Sequence, residues 1–168
     1  YYMVTIKLEN MATIEVNLRE YLMGCLASVY YKGLEKETLK ALAVLYRTYA
    51  FKEMSEARVI MAFNDFVNYR PLSYYKLSWF NSYDENEKIL DEAIKETDCL
   101  FLTYNHYYIL PFVHFCNYGK TLVDNKYNYL SSVSSSWDMA SPYYVNIKDY
   151  SYAELGRLLK SNISENSN

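Results

Sequence analysis

Apolar positions recur along the chain in two rhythms. From Met3 to Leu8 and from Ala12 to Val16 they alternate every second residue, the period of a strand with one buried face, and the intervening Glu9-Asn10 predicts a tight hairpin. From Leu18 the period lengthens. Leu18, Leu22, Cys25, Leu26 and Val29 then share one face of a helix, which puts Val29 on the side expected to be buried. Asn17, three residues before Glu20, is placed to cap the first free amides, and Gly33 is placed to end the helix. A second, strongly periodic helix is predicted from about Glu35 to Met54. Its apolar face is Leu39, Leu42, Ala43, Tyr46 and Ala50, with Lys36, Lys40, Arg47 and Glu53 mostly elsewhere.

Between Ser55 and Ser82 the pattern breaks down: Asn64, Asp65, Asn68, Pro71 and Ser73 interrupt the aromatic residues, which predicts a partly irregular connection. Asp84 to Thr97 reads as a helix burying Ile89, Leu90, Ala93 and Ile94. Leu100–Tyr104 and Tyr107–Phe115 read as paired strands around Asn105-His106, since Asn accepts the left-handed conformation of a two-residue turn. A last helix starts near Ser151 with Glu154 in capping-box position, and residues 161–168 read as a frayed tail. Together these elements predict an α+β fold, helices packed on a small antiparallel sheet and hairpins, in one domain spanning residues 1–160.

A length of 168 residues is enough to bury a core, and 51% hydrophobic with 22% charged residues excludes a disordered chain. No run approaches 18 apolar residues, and the chain opens on Tyr1, so any export signal or membrane anchor is expected in a segment outside it. The net charge of −3, without a basic cluster, argues against a nucleic-acid partner. Three scattered cysteines, Cys25, Cys99 and Cys116, do not make a disulfide framework. The 21 tyrosines suit carbohydrate surfaces and protein interfaces, but the codon usage of an AT-rich genome accounts for them better.

The run from Glu20 through Phe51, EYLMGCLASVYYKGLEKETLKALAVLYRTYAF, resembles the motif of the SpoIID/LytB family, E-Y-L-x-G-V-V-A-x-E-M-P followed by E-A-L-K-A-Q-A-V-A-A-R-T-Y-A. The alignment has no gap. Glu37, Leu39, Lys40, Ala41, Ala43, Val44, Arg47, Thr48, Tyr49 and Ala50 match, Tyr30-Tyr31 replace Met-Pro, and Leu42 replaces Gln. Thr97 to His106 is similar to the family hairpin T-x-G-x-V-L-T-Y-N-G, with Cys99 and His106 in place of two glycines. His114 to Thr121 stands where F-H-S-x-S-G-G-x-T is expected, and Tyr129 to Tyr143 closely resembles Y-L-x-x-V-x-x-x-W-D-x-x-S-P-Y. The resemblance covers about Thr13 to Leu159, and the family's later G-H-G-V-G-M-S-Q motif has no counterpart here.

The resemblance implies a peptidoglycan lytic transglycosylase, in which one glutamate protonates the glycosidic oxygen before the sugar's own hydroxyl closes the ring. One carboxyl group serves as acid and then base when an apolar cleft raises its pKa. Val29 occupies that position and has no proton to give. Losing a positioned general acid costs on the order of 10² to 10⁴ in rate. The chain is therefore expected to be a pseudoenzyme that binds glycan strands or a partner, such as a cell-wall amidase or another sporulation or engulfment protein, outside the cytoplasmic membrane.

Two alternatives stay open: an active enzyme with Glu35 or Glu37 as a displaced acid, or a purely structural docking or oligomerisation unit. Glu35 and Glu37 also suit the start of a helix, where they complement the macrodipole. The expected substrate groove is lined by Val29, Tyr30, Tyr31, Arg47, His114 and aromatic residues up to Tyr143, while Asp138 is expected to hold a turn. Arg47 would either meet the ligand or pair with a carboxylate such as Glu20. No cofactor is required; a zinc site would draw on Cys99, His106, His114 and Cys116, with the last His and Cys on one strand face.

Overall fold

A computed structural model describes residues 2–160 apart from Phe115, Tyr143 and Asn146. The chain divides into two compact units, Tyr1–Val113 and His114–Asn168. The class is α+β, as the pattern predicts. The expected C-terminal tail lies outside the described residues.

The first unit opens with strands β1 (Met3–Lys7) and β2 (Thr13–Asn17), antiparallel with Val4 opposite Val16 and Ile6 opposite Ile14. Their connection is the tight hairpin expected at Glu9-Asn10. Met11 N donates to Leu8 O at 2.9 Å and Leu8 N to Ala12 O at 2.8 Å, closing a loop over Glu9, Asn10 and Met11, with Met11 at φ 67°. A third strand, β3 (Ile60–Met61), joins β1 in parallel, with Ile60 beside Ile6.

Helix α1 (Leu18–Val29) starts where the sequence places it: Asn17 Oδ1 accepts the Glu20 amide at 2.9 Å. It ends four residues before Gly33, because Tyr30 turns extended while its amide still reaches Leu26 O. Every residue from Tyr21 to Ala27 is buried, so the middle of α1 is enclosed on all sides and is not a one-faced surface helix. Val29, in its last turn, is only half-buried, a correction to the expected face.

Helix α2 (Lys36–Ser55), α3 (Leu72–Trp79) and α4 (Tyr83–Glu96) pack around α1. Leu22, Leu26, Leu39 and Leu90 are fully enclosed, each stabilising by about 2 kcal/mol. The surface pairs tying the same helices, Arg19–Asp91 at 2.7 Å and Lys40–Glu96 at 2.8 Å, add only about 0–1 kcal/mol apiece, so apolar burial decides the packing. None of the described helices is long and apolar enough to cross a membrane.

The aperiodic stretch before α3 is held by side-chain hydrogen bonds. Asn64 Oδ1 accepts the amides of Phe66 and Val67, its Nδ2 donates to the Tyr49 hydroxyl at 3.1 Å, and Tyr69 N returns to Ala62 O at 2.7 Å. Between α3 and α4 a single 3₁₀ turn (Phe80–Ser82) begins at Phe80, which has φ 44° and is 77% exposed. The expected long strand pair contracts to β4 (Thr103–Tyr104) and β5 (Tyr107–Tyr108) around Asn105 (φ 49°) and His106 (φ 67°), a type I′ hairpin.

The second unit holds a 3₁₀ turn at Ser136–Ala140 and helix α5 (Tyr152–Leu159), which carries the expected capping box between Ser151 and Glu154. Among its described residues Ser135 alone is buried. Hydrogen bonds organise it instead: Thr121 N donates to Val133 O, Val133 N to Thr121 Oγ1, and Ser132 Oγ to Thr121 O.

Candidate functional site

The enclosed helix α1 surfaces at its C-terminal end, where Ser28, Val29 and Tyr30 are half-buried and the chain reverses through Gly33 (φ 99°) into α2. Beside this reversal lies a cleft of about 530 Å³, walled by Tyr30–Leu34 on one side and by the end of α3 and first turns of α4 on the other. Its apolar wall is aromatic. Trp79 stands edge-on to Tyr30 (5.7 Å between centroids, 72°) and is propped from behind by Tyr75 at 4.9 Å and Tyr83 at 6.2 Å. Tyr31 is 63% exposed at the mouth, and Lys32, Ser78, Ser82, Glu85 and Asn86 supply polar groups around it. Aromatic faces beside hydroxyl, amide and carboxylate groups form a surface that matches a sugar's apolar C–H face and its hydroxyl edge.

Tyr30 and Tyr31 thus sit together in this cleft. Trp79 and Glu85 join them, and sequence reasoning missed both. Trp79 lay in the stretch without a readable period, and Glu85, an acid in the first turn of α4, suits that place for helix stability alone. Glu35 and Glu37 do not line the cleft. Glu35 precedes α2 as its N-cap without a side-chain capping bond, and Glu37, on the first turn, pairs with Lys40 at 2.6 Å.

Arg47 requires a correction. Expected mostly on the open side of α2, it is 2% exposed, and its donors go to carbonyl oxygens at the end of α4. Nη1 reaches Thr97 O at 2.7 Å and Leu100 O at 3.3 Å, and Nη2 reaches Ile94 O at 3.1 Å. Burial lowers its pKa, while the nearby Asp98 works the other way. The last carbonyls of a helix lack intrahelical donors, so a guanidinium there satisfies several at once. Thr48 continues the clamp: its hydroxyl donates to Val44 O at 2.7 Å and accepts the Leu102 amide at 3.0 Å, fixing the strand that leads into the hairpin. Arg47 and Thr48 are therefore packing residues, and Arg47 pairs with carbonyls in place of Glu20. Glu53, also expected outside, is 8% exposed and bound by Arg58 through both carboxylate oxygens at 2.8 and 2.9 Å.

His114 belongs to the second unit. Its Nε2 lies 2.7 Å from Asn117 Nδ2 and 3.6 Å from Asp138 Oδ2, the same oxygen that accepts the Asn117 amide at 3.0 Å. Ser135 Oγ donates to Asn117 Oδ1 at 2.7 Å, so Asp138 secures a turn, as its motif suggested. Neither His114 nor Cys116 is in a strand, which removes the premise that they share a strand face. Cys99 and His106 are exposed turn residues of the first unit, and among the described residues no three His, Cys, Asp or Glu side chains converge as a metal site. All three cysteines are free thiols. Tyr143 lies outside the described residues.

The model of the stage II sporulation protein family, SpoIID, matches residues 8–104, which contain the cleft, the Arg47 clamp and the first half of the hairpin. The chain belongs to the SpoIID family. It is 29% identical over 163 residues to stage II sporulation protein D of Bacillus subtilis, across 89% of this chain and 48% of that protein. It has the same identity to the Bacillus amyloliquefaciens protein, over 89% of this chain and 47% of the relative. The chain spans about half the length of these curated relatives. Three SpoIID motif positions now have a physical account: Arg47 and Thr48 bind the end of α4 to the hairpin, and the helix glycine at 24 admits the segment before α3.

Proposed function

We propose that this SpoIID-family domain acts outside the cytoplasmic membrane in cell-wall remodelling during sporulation, gripping peptidoglycan glycan strands without cutting them. The observation that carries this reading is the pairing of an aromatic, polar-rimmed cleft with an isopropyl group where the family resemblance places its proton donor. Val29 ends α1 directly before Tyr30, the first residue of the cleft wall, though it does not line the cleft itself, and Trp79, Tyr30 and Tyr31 supply the faces on which pyranose rings stack. A domain that holds glycan in this way serves to recruit a partner, such as an amidase, to the strand.

A second reading has one observation in its favour. Glu85 is a carboxylate in the cleft wall, and a displaced acid there would restore transglycosylase chemistry.

Muropeptide analysis of purified peptidoglycan incubated with the unmodified chain, Val29→Glu and Glu85→Gln separates the two. The binding reading expects the unmodified chain to sediment with insoluble peptidoglycan and release no anhydro-muropeptides, with release from Val29→Glu alone. Anhydro products from the unmodified chain, lost in Glu85→Gln, would establish Glu85 as the acid. Failure to sediment at all would leave the docking role and exclude glycan binding.

A further inference from the structure

Four of the chain's five arginines spend their donors inside the protein. Arg19 binds Asp91, Arg47 binds the α4 carbonyls, Arg58 holds Glu53 through two bonds, and Arg157 Nε reaches Ala153 O at 3.4 Å. Arg70 differs. Its guanidinium carbon lies 5.1 Å from the centroid of Phe63 and 4.7 Å from that of Tyr74, and among the described residues no hydrogen bond or ion pair reaches its nitrogens. Contact with the two rings holds the guanidinium in place, and its five N–H groups make no hydrogen bond among the described residues.

The group stands at a hollow of about 260 Å³ between the β1–β2 turn and the start of α3, with Asn10, Tyr69 and Pro71 also in the wall. Tyr69 is 1% exposed, and its hydroxyl has no hydrogen-bond partner among the described residues. Glu9 shares the wall but is not within ion-pair distance of Arg70. An arginine held between two rings has already lost much of its rotational freedom, so closing two parallel hydrogen bonds onto a planar or tetrahedral oxyanion orders little more.

We propose that Arg70 is an oxyanion-binding residue whose N–H edge takes a carboxylate or phosphate group presented at the hollow between the β1–β2 turn and α3. The site is separate from the Trp79 cleft and does not depend on the glycan reading. With one arginine as its main charge and Glu9 nearby, it binds isolated anions with a dissociation constant on the order of 1 mM.

The test follows the arginine side-chain Nε–Hε signals by NMR at constant ionic strength. The protein is titrated with inorganic phosphate, with N-acetylmuramic acid, and with neutral N-acetylglucosamine as control. Arg70 should shift saturably with either anion while the other four arginines stay still, and the tighter anion names the source chemistry. Arg70→Lys, which keeps the charge but loses the fork, should weaken binding roughly fivefold or more, and Glu9→Gln should tighten it. The proposal falls if Arg70 is unmoved, if it responds equally to the neutral sugar, or if all arginines drift together. It falls equally if Glu9→Gln shifts Arg70 without ligand, because the chain's own carboxylate would then occupy the edge.

Discussion

Two side chains in the hairpin region sit in a backbone conformation suited to glycine. Cys99 has φ 60° and His106 φ 67°, and both are exposed, so neither side chain gains contacts that offset the crowding of Cβ. A left-handed L-residue costs about 1–2 kcal/mol, of which glycine returns a part as extra entropy of the unfolded chain. Cys99→Gly and His106→Gly should each raise the unfolding free energy by about 0.5–1 kcal/mol, measured by urea denaturation with an unchanged slope. A loss of stability in both would show that these side chains hold the hairpin through contacts. The sequence already showed that these residues replace glycines of the family pattern, which made the strained positions readable. Arg47 was not readable in this way, because a cation in a helix looks the same whether it meets solvent or a neighbouring helix's carbonyls. The distinction lies in Thr97 and Leu100, some 50 residues away.

At the scale of elements, the central helix turns on one small residue. A Cβ at Gly24 would stand 2.5 Å from Arg70 O and 2.5 Å from Tyr69 Cε2, so α1 and the segment before α3 approach more closely than any side chain permits. Alanine here would gain up to about 1 kcal/mol of helix propensity and lose about 1–3 kcal/mol to displacement of a backbone carbonyl and a buried ring. Gly24→Ala should therefore lower stability in thermal or urea melts, and should disturb the Arg70 signal from its neighbouring position. A stabilised variant would mean that the approach relaxes freely. The helices α1, α2, α4 and α5 were legible because their periodicity or caps are local. Helix α3 and strand β3 were not: they are two to eight residues long and are fixed by Asn64, Tyr69 and pairing with β1, none of which leaves a period in the sequence. The cleft was half legible for the same reason. Its Tyr30-Tyr31 wall follows from the motif on a readable helix, whereas Trp79 arrives through α3.

Across the whole molecule, burial is concentrated in the first unit, and much of it is phenolic. Tyr21, Tyr46, Tyr69 and Tyr75 lie in one core with the Cys25 thiol, and burial pushes all five groups up, Tyr69 and Tyr75 to about 12. The folded state thus favours the neutral phenol over its anion more strongly than the unfolded chain does. The contribution of these groups to stability is complete below the unfolded phenol pKa of about 10 and disappears as pH rises through the folded values. Alkaline titration should then show a late, cooperative rise in tyrosinate absorbance between roughly pH 10 and 12, coincident with loss of helical circular dichroism. Tyr69→Phe, which removes an ionisable hydroxyl that has no hydrogen-bond partner among the described residues, should move that transition to higher pH at little cost in stability near neutrality. A gradual tyrosinate rise with the helical signal intact would mean that water reaches these phenols and that the aromatic core is looser than its packing implies.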